Sequence, residues 1–88
     1  SVLFLIGVQE LGKGNINFSK EEKQDLMHIA MCKVLSFGDF YELEGIDKDG
    51  WPHWKNIKPL PNVDLKIQEE FIKNYIIEYF KKEIGLHI

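Results

Sequence analysis

Residues 41–55 constrain the fold of this chain more than any other segment. Apolar and charged residues alternate ahead of a centre rich in Asp and Gly, residues 47–50, and that composition suits a tight turn. The pattern predicts a β-hairpin whose return strand carries both tryptophans of the chain, Trp51 and Trp54. Because a lone hairpin is barely stable in water, the rest of the chain has to supply a surface on which it packs.

Two helices are predicted before the hairpin. A mostly apolar run at residues 2–11 favours a helix that ends before a glycine, although a buried strand fits so short a run as well. Ser19 followed by Glu22 is a capping-box pattern, which marks the start of a second helix. We expect that helix to end near Ser36, before Gly38. Its apolar residues recur at three- and four-residue steps and predict one buried stripe, formed by Leu26, Met27, Ala30, Met31, Val34 and Phe37.

A third helix is predicted after the hairpin, from the N-cap residue Asp64 to about Glu83, with Gly85 as its terminator. Four further apolar residues lie outside the principal buried stripe of this helix: Ile67, Phe71, Ile77 and Ile84. A helix with so wide an apolar surface is usually buried on more than one side. We therefore expect either a symmetric homodimer, or a second side that is covered by the hairpin and the N-terminal segment.

Together these elements predict a helix-rich α+β fold, a small single domain over residues 1–88 in the order helix–helix–β-hairpin–helix. The net charge of -3 argues against a general nucleic-acid binder, which would carry a basic excess. The single cysteine, Cys32, cannot form an internal disulfide, so we expect a cytoplasmic protein. The apolar run at residues 2–8 is too short to span a bilayer, and no membrane partner is expected.

The charges of the hairpin predict its register. A four-residue tip pairs Ile46 with Trp51, Glu44 with His53, Glu42 with Lys55 and Phe40 with Ile57, which is a favourable cross-strand set. In this register Tyr41, Leu43 and Trp54 face the helices, while Trp51 and His53 face outward. A partner-binding surface is therefore predicted at Trp51, His53, Lys55, Glu42 and Glu44. In the alternative interpretation both tryptophans belong to the core.

A polar stripe on the second helix indicates a possible metal site. Glu21, Asp25, His28 and Cys32 are spaced by four, three and four residues, so they lie on one face. Asp25, His28 and Cys32 are residue types that commonly bind metal ions. We expect no cofactor, and the alternative is a zinc protein in which these three residues bind the ion. The competing interpretation is a solvated helix face with one small buried cysteine.

Catalysis is the less favoured interpretation of the same residues. A Cys32–His28 pair could form a thiolate nucleophile, but Cys32 lies inside a helix, where no helix N-terminus lowers its pKa. The segment at residues 47–50 has the composition of a calcium loop, yet the flanking positions that need Asp and Glu are Gly45 and Asn56. Tight-turn chemistry accounts for that segment without a metal.

The function predicted from the sequence is a non-catalytic module that self-associates and contacts a protein partner through the hairpin face. A metal-binding protein, possibly a metal-dependent enzyme, is the first alternative. Binding of single-stranded nucleic acid through Trp51 together with Lys55 and Lys58 is the second, and it would give a strongly salt-dependent affinity.

Overall fold

The structure, a computed structural model, describes residues 2–12 and 17–85. Its helices and strands follow the order predicted from the sequence. The elements are α1 Val2–Leu11, α2 Lys20–Ser36, β1 Tyr41–Ile46, β2 Pro52–Asn56 and α3 Leu65–Glu83. The two strands form an antiparallel hairpin. The helix-rich α+β class, with two helices, a hairpin and a third helix, is confirmed.

Side-chain caps fix the start of both long helices, as the sequence indicates. The Ser19 hydroxyl accepts a 3.1 Å hydrogen bond from the Glu22 amide, and the Glu22 carboxylate accepts one of 2.9 Å from the Ser19 amide. At the start of α3 the Asp64 carboxylate accepts a 3.0 Å bond from the Ile67 amide. These bonds satisfy first-turn amides that have no partner within a helix, and they set the boundaries closely.

Helix α2 is the central element of the fold. It packs against α1, against α3 and against both strands of the hairpin. The core consists of Ile6 of α1, Ala30, Val34 and Leu35 of α2, Phe40, and Tyr79 of α3. Gly7 lets α1 approach α2 closely, because a side chain there would collide with the carbonyl oxygen of Leu26.

The single stripe predicted for α2 is only partly right. Met27 is partly exposed, whereas Ile29, Cys32 and Leu35 are buried although they lie outside that stripe. The reason is that α2 has neighbours on several sides: Ile29 lies toward the hairpin, with which it lines one cavity, and Leu35 lies toward α3, with which it lines another. A helix with neighbours on several sides buries most of its circumference instead of one face.

The hairpin keeps the predicted register at its base and departs from it near the tip. Glu42 pairs with Lys55 as expected, but Gly45 pairs with His53, and Ile46 pairs with Pro52. The predicted pairs of Glu44 with His53 and of Ile46 with Trp51 are therefore wrong. The physical reason is a β-bulge between Leu43 and Gly45, which leaves Glu44 as an extra residue in the first strand.

The tip is a three-residue loop, residues 48–50, instead of the predicted four-residue loop of residues 47–50. The Asp47 amide donates to the Trp51 carbonyl at 3.0 Å, and the Gly50 amide donates to the Asp47 carbonyl at the same distance. Gly50 has a φ of 87°, the left-handed conformation that glycine adopts without steric cost. The bulge and the short loop together preserve the pairing at the base of the hairpin.

The wide apolar surface of α3 is only partly covered. Phe71, Tyr75, Ile76 and Phe80 pack against the core. Ile67 and Ile84 remain 54% and 50% exposed. Within residues 2–12 and 17–85, none of the helices combines the length and the apolar character that crossing a membrane requires.

Candidate binding cleft

An open cavity of about 290 Å³ lies between α2 and the tip of the hairpin, and we call it the tip cleft. It is lined by Asp25, His28 and Ile29 of α2 and by Asp47, Trp51, Pro52 and His53 of the hairpin. The sequence assigned Asp25 and His28 to a metal site and Trp51 and His53 to a recognition surface. The fold brings these two predicted groups together around one cavity.

The periodicity of α2 explains why three of its residues lie together on one side of the cleft. Asp25, His28 and Ile29 are three and four residues apart, so they occupy neighbouring positions on one face. Asp25 and His28 are exposed, whereas Ile29 is only 5% exposed. The α2 wall therefore presents polar groups above a buried apolar residue.

Asp47 organises the hairpin side of the cleft. One of its carboxylate oxygens, Oδ1, accepts hydrogen bonds of 2.9 Å from the Asp49 amide and 3.0 Å from the Trp51 amide. The other oxygen, Oδ2, lies 2.9 Å from Nε2 of His53. The hydrogen bond with His53, followed by that from the Trp51 amide, holds the pKa of Asp47 below its usual value. Asp47 therefore keeps a negative charge in the cleft at neutral pH.

Trp51 forms a wall of the tip cleft. It is half-buried, as is Trp54, so neither indole stands free and neither is fully sealed in the core. The Nε1 atom of Trp54 is buried and has no hydrogen-bond partner within the described part of the chain. Of the three residues expected to face the helices, Tyr41 packs against the core, whereas Leu43 is 46% exposed and that part of the prediction is wrong.

The other predicted partner-binding residues lie outside the cleft. Glu42 and Lys55 face each other across the two strands, and both are exposed. Glu44 is exposed at the bulge. Five residues were predicted for the recognition surface, and the tip cleft contains two of them, Trp51 and His53.

Cys32 differs in environment from the other residues of the predicted metal site. Its sulfur lies 3.6 Å from Nε2 of His28, but Cys32 is fully buried while Asp25 and His28 are exposed. Burial raises the pKa of the thiol to about 11. Among the described residues, no group of three or more His, Cys, Asp or Glu side chains is arranged to hold a metal ion. A protonated thiol is also a weak nucleophile and a weak metal ligand at neutral pH.

The sequence identified four residues of the cleft and missed three, namely Asp47, Ile29 and Pro52. Asp47 was interpreted only as a turn residue, and its contact with His53 depends on the length of the tip loop. Gly50 was the signal available in the sequence, because a three-residue hairpin loop needs a residue in the left-handed conformation and glycine suits that position. Ile29 lies off the predicted stripe, and only the position of the hairpin shows that it is covered.

Comparison of the chain with known protein families, with curated proteins and with solved structures finds no match in any of the three.

Proposed function

We propose that the protein is a non-catalytic interaction module that binds a protein partner in the tip cleft. The supporting observation is the cleft itself, in which the half-buried indole of Trp51 lies beside the polar groups of two separate elements. Tryptophans that are partly buried at a concave surface are frequent anchors of protein interfaces. A cavity of about 290 Å³ is at the low end of ligand pockets, which suits a single side chain of a partner.

The chemistry of the surrounding residues favours binding over catalysis. The Cys32 thiol is buried and stays protonated at neutral pH, so it is not an activated nucleophile. Asp47 and His53 are hydrogen-bonded to each other, and both are exposed. Among the described residues that line the cleft, none is Ser, Thr, Cys or Lys, so this pair has no adjacent nucleophile to activate.

Selection from a phage-displayed library of random dodecapeptides tests this function. We expect the wild-type protein to enrich a peptide consensus, and Trp51→Ala to lose it. Lys48→Ala is the matched control, because Lys48 is exposed in the same loop and does not line the cleft. Circular dichroism establishes that each variant is folded. Failure to enrich any consensus, or its retention by folded Trp51→Ala, would contradict the proposal.

A second part of the proposal is self-association as a homodimer through the groove between α1 and α3. This groove of about 350 Å³ is lined mainly by apolar residues, among them Leu5, Tyr79, Phe80 and Ile84. Leu5 is 65% exposed and Ile84 is 50% exposed at its edges. Exposed apolar side chains that border an apolar groove are typical of surfaces that contact another protein.

A further inference from the structure

We propose that the tip cleft binds a cationic side chain, a lysine or an arginine, presented by the partner protein. This inference rests on the proposed function and names the chemistry that the same site recognises. It is carried by the combination of a cavity, two carboxylates and an indole wall.

The charges of the lining favour a cation. Asp25 and Asp47 contribute carboxylates from opposite sides of the cleft, and the described lining contains neither lysine nor arginine. The other polar groups are the imidazoles of His28 and His53. Lys48 belongs to the tip loop but does not line the cavity, so it does not occupy the position of the proposed ligand. An anionic ligand would meet two carboxylates without a fixed positive charge to offset them.

The apolar part of the lining matches the stem of such a side chain. Trp51, Pro52 and Ile29 contribute carbon surface to the same lining as the two carboxylates. Lysine and arginine side chains bury their aliphatic stems along apolar surface while the charged head contacts polar groups. The face of a tryptophan also attracts a cation directly. A neutral side chain of the same shape would use the apolar wall and could still donate hydrogen bonds, but it would lose the charge attraction of the carboxylates.

Titration of ¹⁵N-labelled protein with short peptides tests the inference. The probes are the blocked peptide Gly-Gly-Arg-Gly-Gly and the same peptide with citrulline or glutamate at its centre. Citrulline has nearly the shape of arginine without its charge. We expect the arginine peptide to shift the Trp51 indole resonance and the amides of residues 25–29 to saturation. The citrulline peptide should bind at least about five-fold more weakly, and the glutamate peptide should cause no saturable shift.

Two substitutions on α2 distinguish binding in the tip cleft from a general attraction of the peptide to an acidic protein. Asp25→Asn should weaken binding of the arginine peptide about two- to five-fold, which is the effect of removing one partner from an exposed ion pair. Glu21→Gln is the matched control, because it removes the same charge one turn earlier on the same helix, outside the lining, and should leave the affinity unchanged.

Equal binding of the arginine and citrulline peptides, or absence of a shift at Trp51, would overturn the assignment of a cationic ligand. The peptide selection distinguishes this failure from failure of the proposed function. A consensus that requires Trp51 but contains no Lys or Arg keeps the interaction module and rejects the cation. A consensus with Lys or Arg supports both.

Discussion

The hydroxyl of Tyr79, a fully buried residue of α3, donates a 2.9 Å hydrogen bond to the carboxylate of Glu10 in α1. Lys33 of α2 lies 3.9 Å from the same carboxylate and 2.9 Å from that of Glu83 in α3. All three helices therefore meet in one polar network beside the core. Burial, and next the bond to Glu10, raise the pKa of Tyr79, which consequently stays protonated as the donor.

Removing this hydroxyl should destabilise the fold. Tyr79→Phe keeps the ring and leaves the Glu10 carboxylate without its tyrosine donor, so we expect a loss of about 1–2 kcal/mol in the free energy of unfolding, measured with urea. Tyr75→Phe is the control, since Tyr75 also packs against the core from α3 but has no such carboxylate partner within the described residues. Equal losses in the two variants would show that the bond to Glu10 contributes nothing specific.

Gly7→Ala should destabilise the contact between α1 and α2. The added methyl group would meet the Leu26 carbonyl, which is backbone and cannot turn aside, so the helices would have to separate. We expect a loss of about 1–3 kcal/mol in the urea unfolding free energy, the usual effect of overpacking. Val2→Ala serves as the control because Val2 is exposed on the same helix and does not line the groove between α1 and α3. A Gly7→Ala protein as stable as the wild type would mean that α1 does not approach α2 this closely.

Asp47 should make the stability of the hairpin sensitive to acid. Its pKa is lower in the folded protein than its ordinary value of 3.8, so its contribution is present above that value and is lost as the pH falls through the folded pKa. We expect acidification from neutral pH to about pH 3 to lower the melting temperature more for the wild type than for Asp47→Asn, which cannot titrate there.

The control for this pH dependence is Asp49→Asn, whose carboxylate belongs to the same loop but makes no bond to His53. Its melting temperature should follow that of the wild type across the whole range. If the melting temperature of Asp47→Asn also followed that of the wild type, the hydrogen bonds of Asp47 would contribute nothing to the stability of the fold.

Cys32 should limit stability at alkaline pH. Its pKa rises from 9.0 to about 11 because the thiolate is disfavoured by burial. The stabilisation is complete below about pH 9 and is lost as the pH rises toward the folded value of about 11. Cys32→Ala removes this titration, so its melting temperature should fall less steeply over that interval. Identical slopes for Cys32→Ala and wild type would show that the thiol is not buried in solution.

Leu5→Glu tests self-association through the groove between α1 and α3. Leu5 is largely exposed at the edge of that groove, so a charge there should not disturb the core but should oppose burial against a second copy. We expect analytical ultracentrifugation at tens of micromolar to give a dimer for the wild type and a monomer for Leu5→Glu. A wild-type monomer at that concentration would contradict the proposed homodimer.

Local signals in the sequence were sufficient to predict the elements of the fold. Ser19, Asp64 and the turn around Gly50 act through bonds within a few residues, so their effects are visible in the sequence and are confirmed by the structure. The prediction of the N-terminal helix is also confirmed, although a strand fitted the same residues.

What escaped prediction depends on contacts between distant segments. Ile29 and Cys32 are buried because the hairpin lies over α2, and no periodicity within α2 indicates this. The bulge at Glu44 places Gly45 opposite His53 instead of Glu44, and the His53 side chain contacts Asp47. The cleft could not be predicted for the same reason, since its two walls are separated by about twenty residues of chain whose path the sequence pattern does not specify.

The extra residue at Glu44 has a consequence for how this protein tolerates change in length. Deleting Glu44 would remove the extra residue of the first strand and leave the flanking pairs, Leu43 with Trp54 and Gly45 with His53, with the same partners. Because a bulge bends the strand that carries it and increases its local twist, the tip of the hairpin would then lie at a different angle to α2, although each of the cleft's residues would still be present in the chain. A single-residue deletion at an exposed position outside the lining of the tip cleft would thus change how the two walls of the cleft are placed relative to each other and leave the helices intact.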